Sequence, residues 1–492
     1  MSLQSNEIQF ILDNQIITID FSDAAAPLPT TTLLNYLRSI EGHKGVKEGC
    51  AEGDCGACTV VIAESDGRGG LSYRNVDSCL VFLPMIHGKW VITVENLAIT
   101  KKGQQTLHPV QEALIKTSGT QCGYCTPGIV MTMFSLFKNH KNPERETIED
   151  ALTGNLCRCT GYRSIIEACH EACSQDKSDH FEEAEEAVLE MLGKINTNET
   201  LRLSAKGQLY FKPFSIEEAL IVRNLHPDAL IINGSTDAAL LQTKKHQFLH
   251  KILDLSGVDE LKLIVEDHSN IVFGSGTTLE EVKNYCQSRL PVLTEILSVF
   301  GSLQIRNLAT LGGNIGSASP IGDTLPVLMS LGAKVSLLGS SLQRELLLED
   351  FITEYRKTSL QPDEIITLII IPKPLENQVV KSYKISKRHD LDISSVSACY
   401  SLQLSNENKV EKISIFYGGM ASTTKRATAT EGFLTGKRWD RSTIEKAMEI
   451  VAGEFQPISD ARAHASARTI MAKNLLMKFW SETYPQLSEN NK

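Results

Sequence analysis

The sequence predicts an α+β protein of several domains, and three observations carry that prediction. At 492 residues the chain is too long for one core and divides into roughly three or four. Runs that alternate apolar and polar, such as Glu7 to Leu12, stand beside stretches with helix signals, such as Pro109 to Thr117. Ten of the 12 cysteines fall before Ser174, which sets the first third of the chain apart chemically.

Composition narrows the classes. Hydrophobic residues at 42% and charged ones at 22% describe an ordinary soluble globular protein. A formal net charge of -10 argues against nucleic acid as a partner, because a phosphate-binding surface needs an excess of Lys and Arg. Met1 to Asn14 has no basic region followed by an apolar core, and no stretch approaches the roughly 18 apolar residues of a membrane span. The expectation is a cytoplasmic protein without a membrane segment. In a reducing compartment clustered cysteines point to metal rather than to disulfides.

Taken in order, Glu7 to Leu12 and Ile16 to Phe21 flank Asp13-Asn14 and read as a hairpin, followed by a helix at Thr32 to Ile40. In Gly49-Cys50-Ala51-Glu52-Gly53-Asp54-Cys55-Gly56-Ala57-Cys58 three glycines alternate with three cysteines. Such a loop can curl closely around an object and aim its N–H groups at sulfur. A strand resumes at Val60 to Ala63, and Cys79 completes the plant-type Cys-x4-Cys-x2-Cys…Cys spacing of a [2Fe-2S] cluster.

From Val91 the pattern reads as helical. Pro109 to Thr117 is a predicted helix, and Thr126-Pro127 reads as N-cap and first residue of another, through Phe137. Cys122 and Cys125 then precede a helix N-terminus, where the dipole favours an anionic thiolate centre. Cys157 and Cys159, two apart, face the same way only in an extended loop, entered from a helix at Thr147 to Leu152 and left toward another from Ser164. A Cys-x-x-Cys plus a Cys-x-Cys gives a second set of four. The competing reading is zinc, but zinc ribbons usually pair two Cys-x-x-Cys motifs. Cys169 and Cys173 read as structural or incidental, because both sets of four are already complete.

Asp176 to Glu199 is acidic and reads as a linker, partly helical. Ser215-Ile216-Glu217-Glu218 is a capping box, and Ala229 to Ile232 a buried strand running into Asn233-Gly234-Ser235-Thr236-Asp237, a turn able to wrap a diphosphate with backbone N–H groups. Phe300-Gly301 ends a helix. Arg306 to Gly316, then Ser319 to Asp323, reads as a buried loop holding something polar. It is not Gly-x-Gly-x-x-Gly, so a Rossmann dinucleotide fold is not supported. A strand at Ile365 to Ile371 is stopped by Pro372. A last α+β unit holds Tyr383 to Arg388, a strand at Ile413 to Tyr417, and helices at Thr443 to Gly453 and Asp460 to Phe479.

On these residues the chain resembles the molybdenum hydroxylases, and among them the small subunits of two-subunit bacterial xanthine dehydrogenases. The resemblance rests on Cys50, Cys55, Cys58 and Cys79, on Gln121-Cys122-Gly123-Tyr124-Cys125-Thr126-Pro127-Gly128, and on Gly154-Asn155-Leu156-Cys157-Arg158-Cys159-Thr160-Gly161-Tyr162. It continues through Leu311-Gly312-Gly313-Asn314-Ile315, Ala318-Ser319-Pro320 and Tyr417-Gly418-Gly419-Met420. It implies a plant-type [2Fe-2S] ferredoxin-like β-grasp domain over 1–90, a four-helix [2Fe-2S] domain over 91–175 and an acidic linker over 176–203. A two-lobed FAD-binding domain over 204–380 and a C-terminal α+β flavoprotein domain over 381–492 would complete it.

FAD contacts would map onto Ile231, Ile232, Asn233, Gly234, Ser235, Thr236, Asp237 and Ala238, and onto Phe300, Thr310, Leu311, Gly312, Gly313, Asn314, Asp323, Ile366 and Lys384. Phe300 would stack on a ring, Lys384 would meet a phosphate or ring oxygen, and Gln121 would lie near the partner's pterin. Two departures, Asn233-Gly234-Ser235 and Thr310 where Ser is common, are mild for binding through backbone N–H groups.

The resemblance implies an electron relay with no catalytic side chain of its own. Electrons from hypoxanthine or xanthine oxidation would reach the cluster of Cys122, Cys125, Cys157 and Cys159 from a molybdopterin-binding large subunit. They would pass to that of Cys50, Cys55, Cys58 and Cys79, to FAD and to NAD. Because no molybdopterin domain follows before Lys492, that centre is expected on another polypeptide, two such pairs forming an α2β2 heterotetramer. The alternatives are the equivalent subunit of an aldehyde or N-heterocycle oxidoreductase, and a zinc-stabilised binding module.

Overall fold

A computed structural model describes residues 6–101, 104–174 and 178–489. Met1 to Ser5 of the N-terminal reading, Asp176 and Lys177 at the head of the acidic linker, and the terminal Lys492 lie outside the described residues. The chain divides into two compact units, Met1–Asp259 with Gly301–Ala309, and Glu260–Phe300 with Thr310–Lys492.

In the first unit, Asp13 and Asn14 both take positive φ, as the tight turn between Glu7–Leu12 and Gln15–Asp20 requires. These strands join Trp90–Ile92, Thr59–Ser65 and Leu71–Asp77 in a mixed five-stranded sheet. Helix Leu33–Ser39, capped by Thr32, buries Leu33, Leu34 and Leu37 in the same core as Phe10 and Phe82. A mixed sheet carrying one helix is the expected ferredoxin-like architecture.

The helical reading from Val91 fails at its start: Trp90–Ile92 is a strand, and two short strands, Ile99–Lys101 and Gln104–Thr106, precede the first helix. Their side chains are too short a run for periodicity to tell strand from helix. Four helices then follow, Pro109–Lys116, Thr126–Asn139, Arg145–Leu152 and Arg163–Cys173. Thr126 is not the N-cap. Cys125 already has helical φ and ψ and occupies that position without a side-chain bond, while the Thr126 hydroxyl meets that of Thr120 at 2.6 Å. Within the acidic stretch, Asp179 caps helix His180–Gly193, which buries Phe181 and Val188 beside Phe134.

The rest of the first unit is a four-stranded sheet in the order Leu230–Ile232, Lys251–Asp254, Gln208–Lys212, Leu201–Ala205, with helix Ile216–Leu225. Ser215 caps that helix as expected, but the Glu218 carboxylate accepts from Phe214 N–H rather than from Ser215.

The second unit holds a five-stranded sheet, Ile264–Glu266, Asn270–Gly274, Ile365–Pro372, Lys334–Leu338 and Gln343–Leu347 in spatial order. An antiparallel sheet of Gln378–Ile385, Val396–Leu404, Val410–Gly418 and Lys425–Arg426 packs its own core with helices Arg441–Glu454 and Ala465–Glu489. That last helix begins later than Asp460. The Asp460 carboxylate accepts from Arg462 and Ala463 N–H and from the buried Arg468 guanidinium, fixing a turn where the helix was expected. Within the buried loop predicted from Arg306 to Gly316 lies a short helix, Leu311–Gly316, hidden in the sequence by glycines of low helix propensity, while Arg306 ends another, Leu303–Arg306, that belongs to the first unit.

Candidate cluster and flavin sites

The structure brings together all eight predicted cysteine ligands in the first unit, in two sets of four. The thiols of Cys50 and Cys55 share a hydrogen bond, as do those of Cys58 and Cys79. In the second set Cys122 pairs with Cys159 and Cys125 with Cys157. Two pairs per set suit a binuclear cluster, in which each iron takes two protein ligands. Among the described residues no three His, Cys, Asp or Glu side chains converge on the position of a single metal ion.

The thiols of each set are electrically unlike. The Cys55 hydrogen bond, helped by backbone N–H groups of Glu52 and Asp54, pulls Cys50 down to about 5, and the same bond pushes Cys55 up. Burial pushes Cys125 up to about 12, whereas at Cys157 burial is outweighed by several hydrogen bonds together, from the Thr160 hydroxyl 3.2 Å from its sulfur, the backbone N–H groups of Thr160 and Cys159, and Cys125, leaving it at about 7. Backbone N–H groups aimed at sulfur favour the thiolate that a metal requires. Beside the first set Asp77 is fully buried, its Oδ1 3.6 Å from Cys58 Sγ, and burial holds its carboxyl well above the usual range. Sequence reasoning missed Asp77, because nothing local marks a strand-end aspartate as buried.

The two sets are joined through backbone. Leu156 N–H donates to Cys55 C=O at 3.0 Å, and the Tyr124 hydroxyl to Glu48 C=O at 2.5 Å. This approach depends on glycine: a Cβ on Gly128 would lie 2.0 Å from Gly56 O, and one on Gly56 would lie 2.2 Å from Gly154 O. Cys122 and Cys159 are exposed, as is Tyr124 between the two halves of the Cys-x-x-Cys. Cys169 and Cys173 are buried on their helix.

The predicted flavin residues are divided between the units. In the first, Ile231 and Ile232 end a strand and Asn233 to Ala238 form the turn after it. Ser235 takes a left-handed φ of 58, and its hydroxyl donates to Leu80 C=O. Gly234 packs against Leu308, where a Cβ would stand 1.7 Å from the carbonyl oxygen. Asp237 is exposed. A turn that mixes right- and left-handed residues after a strand presents a concave run of backbone suited to an anion.

In the second unit Thr310 caps the helix Leu311–Gly316 through Gly313 N–H, while Leu311 and Gly312 N–H donate to Thr277 and Ser275 C=O. Asn314 accepts from the Thr324 hydroxyl. Asp323 and Lys384, both predicted to meet the flavin, pair with each other at 2.9 Å while almost completely buried, and Lys384 also donates to Val299 C=O. Phe300 and Ile366 are half-buried. A cavity of about 420 Å³ next to this ion pair is lined by Glu295, Val299, Lys384, Lys387, Arg388 and His389, so cations prevail in it.

Comparison with known proteins agrees with this geometry region by region. Residues 18–81 match the 2Fe-2S iron-sulfur cluster binding domain, 93–170 the [2Fe-2S] binding domain, 202–374 the FAD binding domain in molybdopterin dehydrogenase, and 381–483 the CO dehydrogenase flavoprotein C-terminal domain. Xanthine dehydrogenase/oxidase of Gallus gallus is 32% identical over 94% of this chain and 39% of its own length. Xanthine dehydrogenase of Calliphora vicina is 33% identical over 87% of this chain and 36% of its own length. A solved structure of the Cu,Mo-CO dehydrogenase in its cyanide-inactivated form aligns with a TM-score of 0.52 at 26% identity, covering 55% of this chain and 94% of that one. The chain belongs to the molybdenum hydroxylase family, as its iron–sulfur and flavin region. It spans about two fifths of the length of the curated relatives it matches.

Proposed function

We propose that this chain is the electron-transfer part of an NAD-dependent xanthine dehydrogenase that oxidises hypoxanthine and xanthine to urate in purine catabolism. The observation that carries the reading is the pairing of eight thiols into two sets bonded through Cys55 and Leu156, one set opening to the surface. When bound, the clusters supply one-electron transfer and FAD exchanges it for the two-electron transfer of a hydride.

Cys50, Cys55, Cys58 and Cys79 hold one [2Fe-2S] cluster, and Cys122, Cys125, Cys157 and Cys159 the other. The turn Ile231 to Ala238 offers backbone to the FAD diphosphate. Phe300, Thr310 to Asn314, Asp323, Ile366 and Lys384 supply the remaining flavin contacts. Because Asn314, Asp323 and Lys384 already have protein partners, their role is to shape and charge the site more than to grip the cofactor. The cationic cavity beside Lys384 suits the diphosphate of NAD.

The exposed rim of Cys122, Tyr124 and Cys159 is where a molybdopterin-binding large subunit docks, two such pairs forming an α2β2 heterotetramer. The proposed location is a reducing cytoplasm, where clustered cysteines hold metal rather than form disulfides. Among the described residues no helix is long and apolar enough to cross a membrane. The proposed boundaries remain 1–90, 91–175, 176–203, 204–380 and 381–492.

Anaerobic purification, a visible spectrum before and after dithionite, and metal and flavin analysis test the reading. About four irons and one flavin per chain are expected, and a colourless protein with stoichiometric zinc would refute it. Likeness to a CO dehydrogenase keeps a second reading in view, the same relay serving an aldehyde or N-heterocycle oxidoreductase. Turnover of the assembled complex on xanthine, an aldehyde and an N-heterocycle, with NAD as acceptor, separates the two.

A further inference from the structure

A buried group of amides and hydroxyls lies where the two cysteine loops meet, and no ligand role accounts for it. Gln304 and Asn75 are fully buried, and Asn155, Thr132 and Thr59 nearly so. Asn155 stands two residues before Cys157, and its Nδ2 reaches across to the other loop, donating to Gly56 C=O at 3.1 Å and to Thr59 Oγ1 at 3.2 Å. The Asn155 carboxamide is held from its other side. Its Oδ1 accepts from Gln304 Nε2 at 2.8 Å and from the Thr132 hydroxyl at 2.7 Å, and Gln304 Nε2 also meets Thr132 Oγ1 at 3.2 Å.

Gln304 arrives from a distant stretch of chain, the segment Gly301–Ala309. Its Oε1 is buried with no hydrogen-bond partner, and a Cβ on Gly154 would stand 2.2 Å from it. An unpaired buried amide oxygen is costly, and an apolar side chain of the same volume would fill the space without that cost. Packing alone therefore does not explain a glutamine here. What the amide does, and a hydrocarbon could not, is orient Asn155, whose neighbour Leu156 bonds to Cys55.

We infer that Gln304 is a positioning residue for transfer between the two cysteine sets: by fixing the Asn155 carboxamide it holds Leu156 N–H on Cys55 C=O. The inference rests on the reading that both sets carry clusters. One electron leaves the centre bound by Cys122, Cys125, Cys157 and Cys159 and enters the one bound by Cys50, Cys55, Cys58 and Cys79. No bond forms or breaks and no proton moves. Tunnelling falls steeply with the gap to be crossed, so a contact that fixes the gap fixes the rate.

The test uses the full chain purified with its clusters and reduced with dithionite, and reads the magnetic interaction between the two reduced clusters by low-temperature EPR. In wild type this interaction splits or broadens the signals. Gln304→Met, similar in volume and without an amide, is expected to bind wild-type iron and flavin yet lose the interaction. Asn307→Ala removes two bonds from the same segment to Asn75, at 3.0 Å each, and leaves Asn155 alone. It is expected to lower the melting temperature and keep the interaction.

An unchanged interaction in Gln304→Met, or an equal loss in Asn307→Ala, overturns the inference. Should Gln304→Met not accumulate as folded protein, Thr132→Val reads the same contact, with loss of the interaction in support and its retention against. A wild-type chain without iron would instead sink the functional reading, and this inference with it.

Discussion

The two cysteine sets share chemistry and differ in setting. Cys58 and Cys79 lie in the interior of the first set, at 2% and 1% exposure, with the acid Asp77 beside them. The second set has Cys122 and Cys159 on the surface, with only Cys157 buried. On the proposed reading, the buried thiols suit a centre that exchanges electrons only inside the protein, and the exposed ones a centre that meets a partner. The same number of ligands would then serve as interior station or as entry point according to how much chain covers them.

Substitution of ligands breaks that comparison most severely. Cys122→Ser is expected to lose one cluster, about half of the iron, and to leave the fold intact because its side chain is exposed. Cys58→Ser is expected to lose the other cluster and also to destabilise the chain, by about 1–3 kcal/mol for the buried hydroxyl. Iron analysis together with urea unfolding distinguishes them, and equal stability loss in both would contradict the interior–surface contrast. Next in size is Gly128→Val, whose Cβ would press on Gly56 O. About 3 kcal/mol of stability should disappear, with both cluster signals perturbed, since this contact joins the two loops.

Acid should separate the two regions. Near the first, burial holds His87 down to about 4, its Nδ1 accepting from Gln9 N–H and its Nε2 donating to Asn196 C=O. The fold keeps this imidazole neutral and the unfolded chain protonates first. Its contribution is complete above pH 6.5 and disappears as pH falls toward about 4, a loss of about 3 kcal/mol. Near the second region Asp179 is held at about 2, burial being outweighed by His108 and Lys138. That contribution is complete above about pH 4 and is lost between there and about 2, about 2 kcal/mol in all. Urea titrations at successive pH values should show His87→Gln flattening the upper window and Asp179→Asn the lower. The smallest effect is expected for Lys244→Ala, which removes an exposed pair with Glu52 and a bond to Cys50 C=O. Less than about 1 kcal/mol should change.

Much of the cluster chemistry was legible because cysteine spacing is local and its meaning does not depend on the surrounding fold. Asp13-Asn14 and Ser215 were legible for a related reason, since turns and caps are decided within a few residues. The short helix Leu311–Gly316 was not, because its glycines resemble a loop. Nor was the pairing of Lys384 with Asp323, or of Gln304 with Asn155, because each joins residues far apart in sequence that no periodicity connects.

The segment Gly301–Ala309 also has a consequence for how the chain is made. It carries Gln304, Arg306 and Asn307 into the first unit, where Arg306 binds both oxygens of Asp150 at 2.8 Å. A ribosome delivers residue 259 well before residue 309, so for some seconds, at about 5–20 residues per second, Asp150, Asn155 and Asn75 of the nascent first unit lack the partners that this segment brings, Arg306, Gln304 and Asn307. Cluster insertion during that interval would meet an unfinished protein. A chain released early, after Asp259, would retain all eight predicted ligand cysteines and lack the piece that braces Asn155 and Asn75 beside their loops.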